Sequence, residues 1–383
     1  MPETHLAPAA TLGLKRRIFT VRLFYFMAGI GISAWAIIVP FAKIRFRLDD
    51  GTLGLILMAS GTGGVLVMPL TGPLLKRFSS RAVLLGSGAI FTLTLPLLSL
   101  APNVPLLVVL LFVFGAAFGI IDIAMNAQAV VTEAQAGRLL MSGFHAMYSF
   151  GSLTVALVTS LLLKAGLGHA FCAALSAVAA AGILTQGRYL LPPRHDLPAD
   201  PAFAMPSRAT LLLGACCFAC FLTEGAVTDW STVFLRFARH VPLSSATLGY
   251  AGFSIMMALA RLSGDRAAAR LGKPAVMRLG ALIAASGLFL SVLVPSAPLD
   301  MLGFAMVGLG AGNIAPLVFS AAARIPGMAA NLSVPAVVSL GYVGFLMGPV
   351  LIGFISHHSS LAAALGLDGL MMLPLCLAGR AVR

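Results

Sequence analysis

Apolar runs of about 20 residues, the length an α-helix needs to cross a ~30 Å hydrocarbon core, recur from Val21 to the end of the chain. About twelve can be placed by this rule: 20–43, 51–75, 82–101, 104–132, 139–164 and 167–190, then 209–234, 245–263, 275–295, 299–322, 331–355 and 361–380. The pattern predicts an all-α membrane protein of twelve transmembrane helices, with the lipid bilayer as a partner. Connections this short leave no room for a large soluble domain.

Residues 192–207, PPRHDLPADPAFAMPS, are too polar and proline-rich to continue a span and too short to fold alone. They divide the runs into two sets of six. Gly115 and Gly119 of the fourth run recur as Gly308 and Gly312 of the tenth, each pair spaced to let helices approach closely. Basic turns follow the second run (Lys76, Arg77, Arg81) and the eighth (Arg266, Arg270, Lys273). The expected organisation is a cytoplasmic tail at 1–19, a six-helix half at 20–190, a cytoplasmic linker at 191–208 and a second six-helix half at 209–383. Two pseudo-symmetric halves around a midplane site describe a secondary transporter.

Composition agrees with membrane residence: 59% of residues are hydrophobic and 10% charged, against about 25% charged in soluble domains. Mean hydropathy is +1.00. The net charge of +13 does not point to nucleic acid, because the basic residues are scattered between apolar runs and form no face. It follows topology instead. With the N-terminus in the cytoplasm, only Lys43, Arg45, Arg47, Lys164, Arg236 and Arg239 of the 25 basic residues lie outside, and Arg261 is counted inside. Both termini are therefore expected in the cytoplasm, in a bacterial-type inner membrane. Lys15–Arg17 precede a long run with no short signal-peptide core, so Val21 onward is expected to stay as the first helix. The outer charges Lys43, Arg45, Arg47, Arg236, Arg239 and His240 either steer an anionic solute or are solvated loop charges.

All five cysteines fall inside runs, which implies no disulfide framework. Cys216, Cys217 and Cys220 lack a partner pair at zinc spacing and are expected to pack helices, so no metal or other cofactor is called for. Protease, hydrolase, Walker and Rossmann signatures are absent, and no enzyme is expected.

Candidate chemistry concentrates at 114–151, where Asp122, Asn126, Gln128, His145 and Tyr148 interrupt apolar sequence. An ionised side chain at mid-span costs about 2.5–3.5 kcal/mol on insertion scales, so Asp122 requires a partner or a cavity. Asn126 shares its face at i+4. Folding the fourth and fifth runs into a hairpin about 135–137 brings Asp122 and His145 to similar depth, with Tyr148 on the His145 face. The alternative is a hydrogen-bonded cluster that only fastens two helices. Glu224 is a second intramembrane acid. Asp229, five residues on, falls on a different face beside Trp230. Trp35 and Trp230 either stack on a solute ring or anchor at the interface. Asn313 offers a polar contact on the tenth run or serves packing.

Two six-run halves with basic turns after runs two and eight resemble the major facilitator superfamily over the whole chain. Within it, GIIDIAMN (119–126), SFG (149–151), WS (230–231), RFA (236–238), RLSG (261–264) and NIAP (313–316) resemble the fucose/proton symporter family and its uncharacterised bacterial inner-membrane relatives. The superfamily's turn motif appears with Lys76 in place of its aspartate, ahead of Arg77 and Arg81; the second half keeps Asp265 and Arg266, with Arg261 at the glycine position. These are the expected gating residues. The acid that the symporter family carries on its first helix is Ala36 here.

The resemblance implies proton-coupled uptake of a small polar solute such as a sugar, by rocking of the two halves, with the monomer as working unit. It assigns proton coupling to Asp122 and solute contacts to His145 and Tyr148. Glu224 is expected to replace the missing first-helix acid, or else to pair with a neighbouring helix. Asn126, Trp35, Trp230 and Asn313 complete the expected solute site. Proton-coupled export of a drug or metabolite is the first alternative. A non-transporting membrane sensor or assembly partner is the second.

Overall fold

The computed structural model describes residues 8–138, 140–190, 207–326, 328 and 330–382. Among them are twelve helices long and apolar enough to cross a membrane, and no strand. The first six are α1 (Leu12–Phe46), α2 (Asp50–Leu75), α3 (Arg77–Leu100), α4 (Val104–Ala136), α5 (Met141–Lys164) and α6 (His169–Tyr189). The last six are α7 (Arg208–Phe237), α8 (Leu243–Leu271), α9 (Lys273–Leu293), α10 (Ala297–Ala322), α11 (Ser333–His358) and α12 (Leu361–Ala378). Large side chains such as Leu93, Leu161, Val178 and Leu293 remain exposed on the outside of the bundle. In water such a surface would drive association; in a bilayer it faces lipid.

Short polar side chains mark several helix starts, each accepting a hydrogen bond from an otherwise unpaired backbone N–H. Asp49 takes that role for α2, Asn103 for α4, Ser207 for α7 and Ser360 for α12. The α4–α5 hairpin is closed from both sides. Gly137 ends α4 in the left-handed region (φ 61°), and the Glu133 carboxylate accepts from the Leu140 and Met141 N–H groups at 2.5 and 2.8 Å.

Two boundaries correct the expectations. The first helix extends back to Pro8, so the later part of the expected 1–19 tail is helical. Helix α8 continues to Leu271 and stops at Gly272, whose φ of 81° favours glycine. Asp265 and Arg266, expected in a turn, therefore lie on its last helical turns, where exposed charged heads reach water. In the equivalent place of the first set, Ser79 near the start of α3 leaves helical geometry, with φ 67° and ψ 150°. Of the linker expected at 191–208, residues 191–206 lie outside the described residues.

Helix pairing repeats between the two sets. A Cβ added at Gly115 would run into the Ser60 carbonyl, and one at Gly119 would meet Gly64, so α4 lies directly against α2. Gly308 and Gly312 do the same for α10, against Phe253 and Ala260 of α8. The ends of α1 and α7 also match. Arg47 and His240 both adopt positive φ, 52° and 57°, while the Leu48 and Val241 N–H groups each reach back to a helical carbonyl at 3.0 Å.

A side chain at Gly115 should separate α2 from α4. Gly115→Val is expected to destabilise by about 1–3 kcal/mol, the usual cost of overpacking. Gly86→Ala, where an added Cβ meets nothing within 4 Å, should instead stabilise by about 0.5–1 kcal/mol. Thermal unfolding of the two detergent-solubilised variants provides the comparison.

Candidate functional site

At mid-depth the two sets of helices border a small, partly open cavity of about 40 Å³ between α1, α2, α4, α7 and α11. Its walls are largely apolar, with Trp35, Phe114, Phe118 and Phe345 as the aromatic members. Ser60, Thr228, Asp229 and Tyr342 are its hydroxyl and carboxyl groups. The close α2–α4 packing through Gly64, Gly115 and Gly119 sets one side, because no Cβ occupies that face.

Beside the cavity, a chain of hydrogen bonds ties three helices together. Tyr342 of α11 donates to one Asp122 oxygen. The Asn126 amide donates to the other at 3.1 Å, and its oxygen accepts from the Tyr25 hydroxyl of α1 at 2.6 Å. The His145 ring meets Tyr25 edge-on at 5.1 Å between centroids, so the hairpin brings His145 near the Asp122 group as expected. Tyr148 lies one turn further along α5, within electrostatic range of Asp122, Glu224, Arg261 and Tyr250. Gln128 points elsewhere: its amide donates to Ser80 at 2.7 Å.

A second cluster belongs to the last six helices. Arg261 of α8 pairs with Glu224 of α7 at 3.4 Å and donates to Ser149 of α5 at 3.3 Å. Glu224 is thus paired with a neighbouring helix, and Arg261, counted as a cytoplasmic charge from sequence, is a site residue. Its signal was present: a charge ten residues before the end of an apolar helix has no water to reach unless a cavity or an acid is near. Tyr25 and Tyr342 carried no such signal, since a tyrosine in a span fits lipid interfaces equally well.

The other expected solute contacts divide. Trp35 lines the cavity. Trp230 does not: it is completely buried, and its indole N–H donates to no partner among the described residues. Asn313 donates to the Ala260 carbonyl at 2.8 Å across the break in α10, and its side-chain oxygen closes on Gly264. Both therefore serve packing in this conformation. Arg81 caps α6, donating to the Arg188 and Leu190 carbonyls at 2.7 and 2.6 Å, while Asp265 accepts from Ser142 at 3.5 Å and Arg77 and Arg266 are exposed. Lys76 sits at the α2–α3 junction. No group of three or more potential ligands that could hold a metal occurs among the described residues.

Contacts between the two sets are uneven with depth. At the end remote from the chain termini, Asp50, paired with Lys43 of its own set, accepts from Ser356, Asp49 pairs with His357 at 3.1 Å, and Ser160 donates to the Ser244 carbonyl at 2.5 Å. Two hydrogen bonds from Thr52 hold the half-exposed Asp49 carboxyl down at about 2, so it stays charged opposite His357. Gly54 of α2 meets Pro349 and Gly353 of α11 backbone to backbone. At the terminus end, the described residues supply Ser142–Asp265 as the hydrogen bond between the sets. Two of the remote charges are pinned, Lys43 over the Phe237 ring and Arg239 on buried Asp300 at 2.8 Å, while Arg45, Arg47 and His240 are exposed.

The sequence model described as the Major Facilitator Superfamily matches residues 23–342. An uncharacterised MFS-type transporter of Yersinia pestis is 42% identical over 376 residues, 97% of this chain and 96% of that protein. Membrane protein MosC of Rhizobium meliloti is 31% identical over 358 residues, 92% and 87% of the two chains. Among solved structures, the nucleoside transporter NupG superposes with a TM-score of 0.72 at 16% identity, covering 96% of this chain and 98% of that one. A bacterial homologue of the lysosomal transporter Spinster gives 0.67 at 15% identity, covering 95% of each.

Removing one member of the Glu224–Arg261 pair leaves an unpaired charge in the membrane. Arg261→Met alone is expected to destabilise strongly, toward the ~3–5 kcal/mol of buried pairs but less because both side chains keep some exposure. The double variant Glu224→Gln, Arg261→Met should recover most of that loss, and a double-mutant cycle on detergent unfolding measures the difference.

Proposed function

The chain belongs to the Major Facilitator Superfamily, and from that we propose that it is a proton-coupled secondary transporter of a small polar solute, working by alternating access. Fold and family are those of transporters, not enzymes, and twelve spans make it a multi-pass membrane protein. The bacterial relatives and the charge distribution support an inner-membrane site with both termini in the cytoplasm. The two six-helix sets, divided at 191–208, would be the moving bodies.

The observation that carries the proposal is the Asp122 carboxylate, held inside the membrane by a hydroxyl from the opposite set of helices. An ionised carboxylate accepts hydrogen bonds on both oxygens; a protonated one turns one oxygen into a donor. Taking up a proton therefore weakens the Tyr342 bond and removes a charge that resists crossing a closed, dry intermediate. Glu224 supplies the second protonatable group. When it is neutral, Arg261 is released to Ser149 alone, which changes the contact between α8 and α5. Coupling thus passes through bonds that join the moving bodies.

Import of a sugar or sugar derivative is the direction and class that the symporter resemblance favours. Asn126, His145, Tyr148 and Trp35 are its candidate contacts. The largely apolar cavity wall favours a second reading, antiport that exports a drug or metabolite, and the sign of proton movement separates the two.

Liposomes containing the protein and a trapped pH dye, challenged with sugars, sugar acids and nucleosides, test both readings. Symport predicts that an inward gradient of the right solute acidifies the lumen, whereas antiport predicts the opposite sign. Asp122→Asn should lower that signal at least about tenfold, the order expected when a group essential to coupling is lost. Full pH-driven transport by Asp122→Asn would contradict the assignment.

A further inference from the structure

We propose that the cavity is a recognition site for solutes bearing a single positive charge beside an apolar or ring face, with Asp229 as the counter-ion; this rests on the cavity being the transport site. Nine of the acidic residues lie in the described part of the chain, and eight have a hydrogen-bond or ion-pair partner there. Asp122 has Tyr342 and Asn126, Glu224 has Arg261, Asp300 has Arg239 and Asp368 has Thr223. Asp49, Asp50, Glu133 and Asp265 are engaged by Thr52, Lys43, Leu140 and Ser142. Asp229 has none, and it lines the cavity.

A carboxylate set in an apolar wall attracts a cation more strongly than one in water, since little solvent screens it. The protein supplies no cation for it: Arg261 is committed to Glu224 and Ser149, and Lys43 to Asp50. The walls suit the same guest. Trp35, Phe118 and Phe345 present aromatic groups that hold an apolar face and favour a neighbouring positive charge through their quadrupoles. Thr228 and Tyr342 offer hydroxyls for one or two further polar groups. A neutral solute of the same shape would leave Asp229 without a partner, which makes charge the main discriminator.

The chain has two tryptophans, and Trp35 alone lines the cavity. In a Trp230→Phe background, fluorescence therefore reports the cavity. Titration of the purified protein with benzylamine against benzyl alcohol, and glucosamine against glucose, compares charged and neutral members of matched pairs at pH 7. The inference predicts saturable fluorescence changes with at least tenfold tighter binding of the amine in a pair. Asp229→Asn should reduce that preference to within twofold, and Asp229→Glu should keep most of it. Equal affinity for amine and neutral partner in the Trp230→Phe protein overturns the inference without any change at Asp229, as does a preference that survives Asp229→Asn. If a neutral solute drives proton movement in liposomes while no amine preference exists, the transport reading stands and this inference falls. Amine binding lost in Asp229→Asn, with no solute-driven proton movement, supports the site and sinks the transport reading.

Discussion

In a bilayer a buried polar group left without a partner is costly, and this chain places several of the partners it needs on the opposite set of helices. Tyr342 of α11 satisfies Asp122 of α4; Ser149 of α5 shares Arg261 of α8 with Glu224 of α7. An apolar interface of the same area would hold the two sets together without distinguishing one protonation state from another. Polar bonds across it are different, because the strength of each depends on charge. A proton added to Asp122 or Glu224 changes the cohesion of the interface itself.

Depth gives this interface a direction. Bonds from Asp50, Asp49 and Ser160, with backbone contact of Gly54 on α11, close the end remote from the termini. The terminus end has the long Ser142–Asp265 contact. The mid-depth cavity is therefore sealed on one side by short polar bonds and tight glycine packing. The proposed alternating access would require those bonds to part while others form, and small residues at the crossing points allow helices to meet backbone to backbone without interlocking side chains. Within each set, by contrast, the α2–α4 and α8–α10 pairs pack closely through glycine.

Much of the fold was legible in the sequence because its cause is one-dimensional: a run of apolar residues long enough to cross lipid forms a helix there, and twelve did. The hairpin joining Asp122 to His145 was legible for the same reason, since rise per residue fixes relative depth. What was hidden is contact between distant helices. Tyr342 and Asp122 lie 220 residues apart, and nothing in the local pattern of α11 marks that tyrosine as a donor. Arg261 was misplaced because charge counting assigns an arginine to the nearest loop, while α8 in fact runs on to Leu271. Trp230 and Asn313 stood out as polar or aromatic residues in apolar runs, yet Trp230 is buried away from the cavity and Asn313 bonds Ala260 of its own set. Asp229 was set aside for falling off the Glu224 face; that different face is the one turned to the cavity.

The central claim is that Asp122 changes protonation and that Tyr342 senses it across the interface. Difference infrared spectroscopy of the reconstituted protein on lowering the pH reads this directly, through the carbonyl stretch of a newly protonated carboxylic acid. The account predicts a band that disappears in Asp122→Asn and shifts in Tyr342→Phe, where the phenol no longer donates. A spectrum of Asp122→Asn identical to that of the unmodified protein would contradict it.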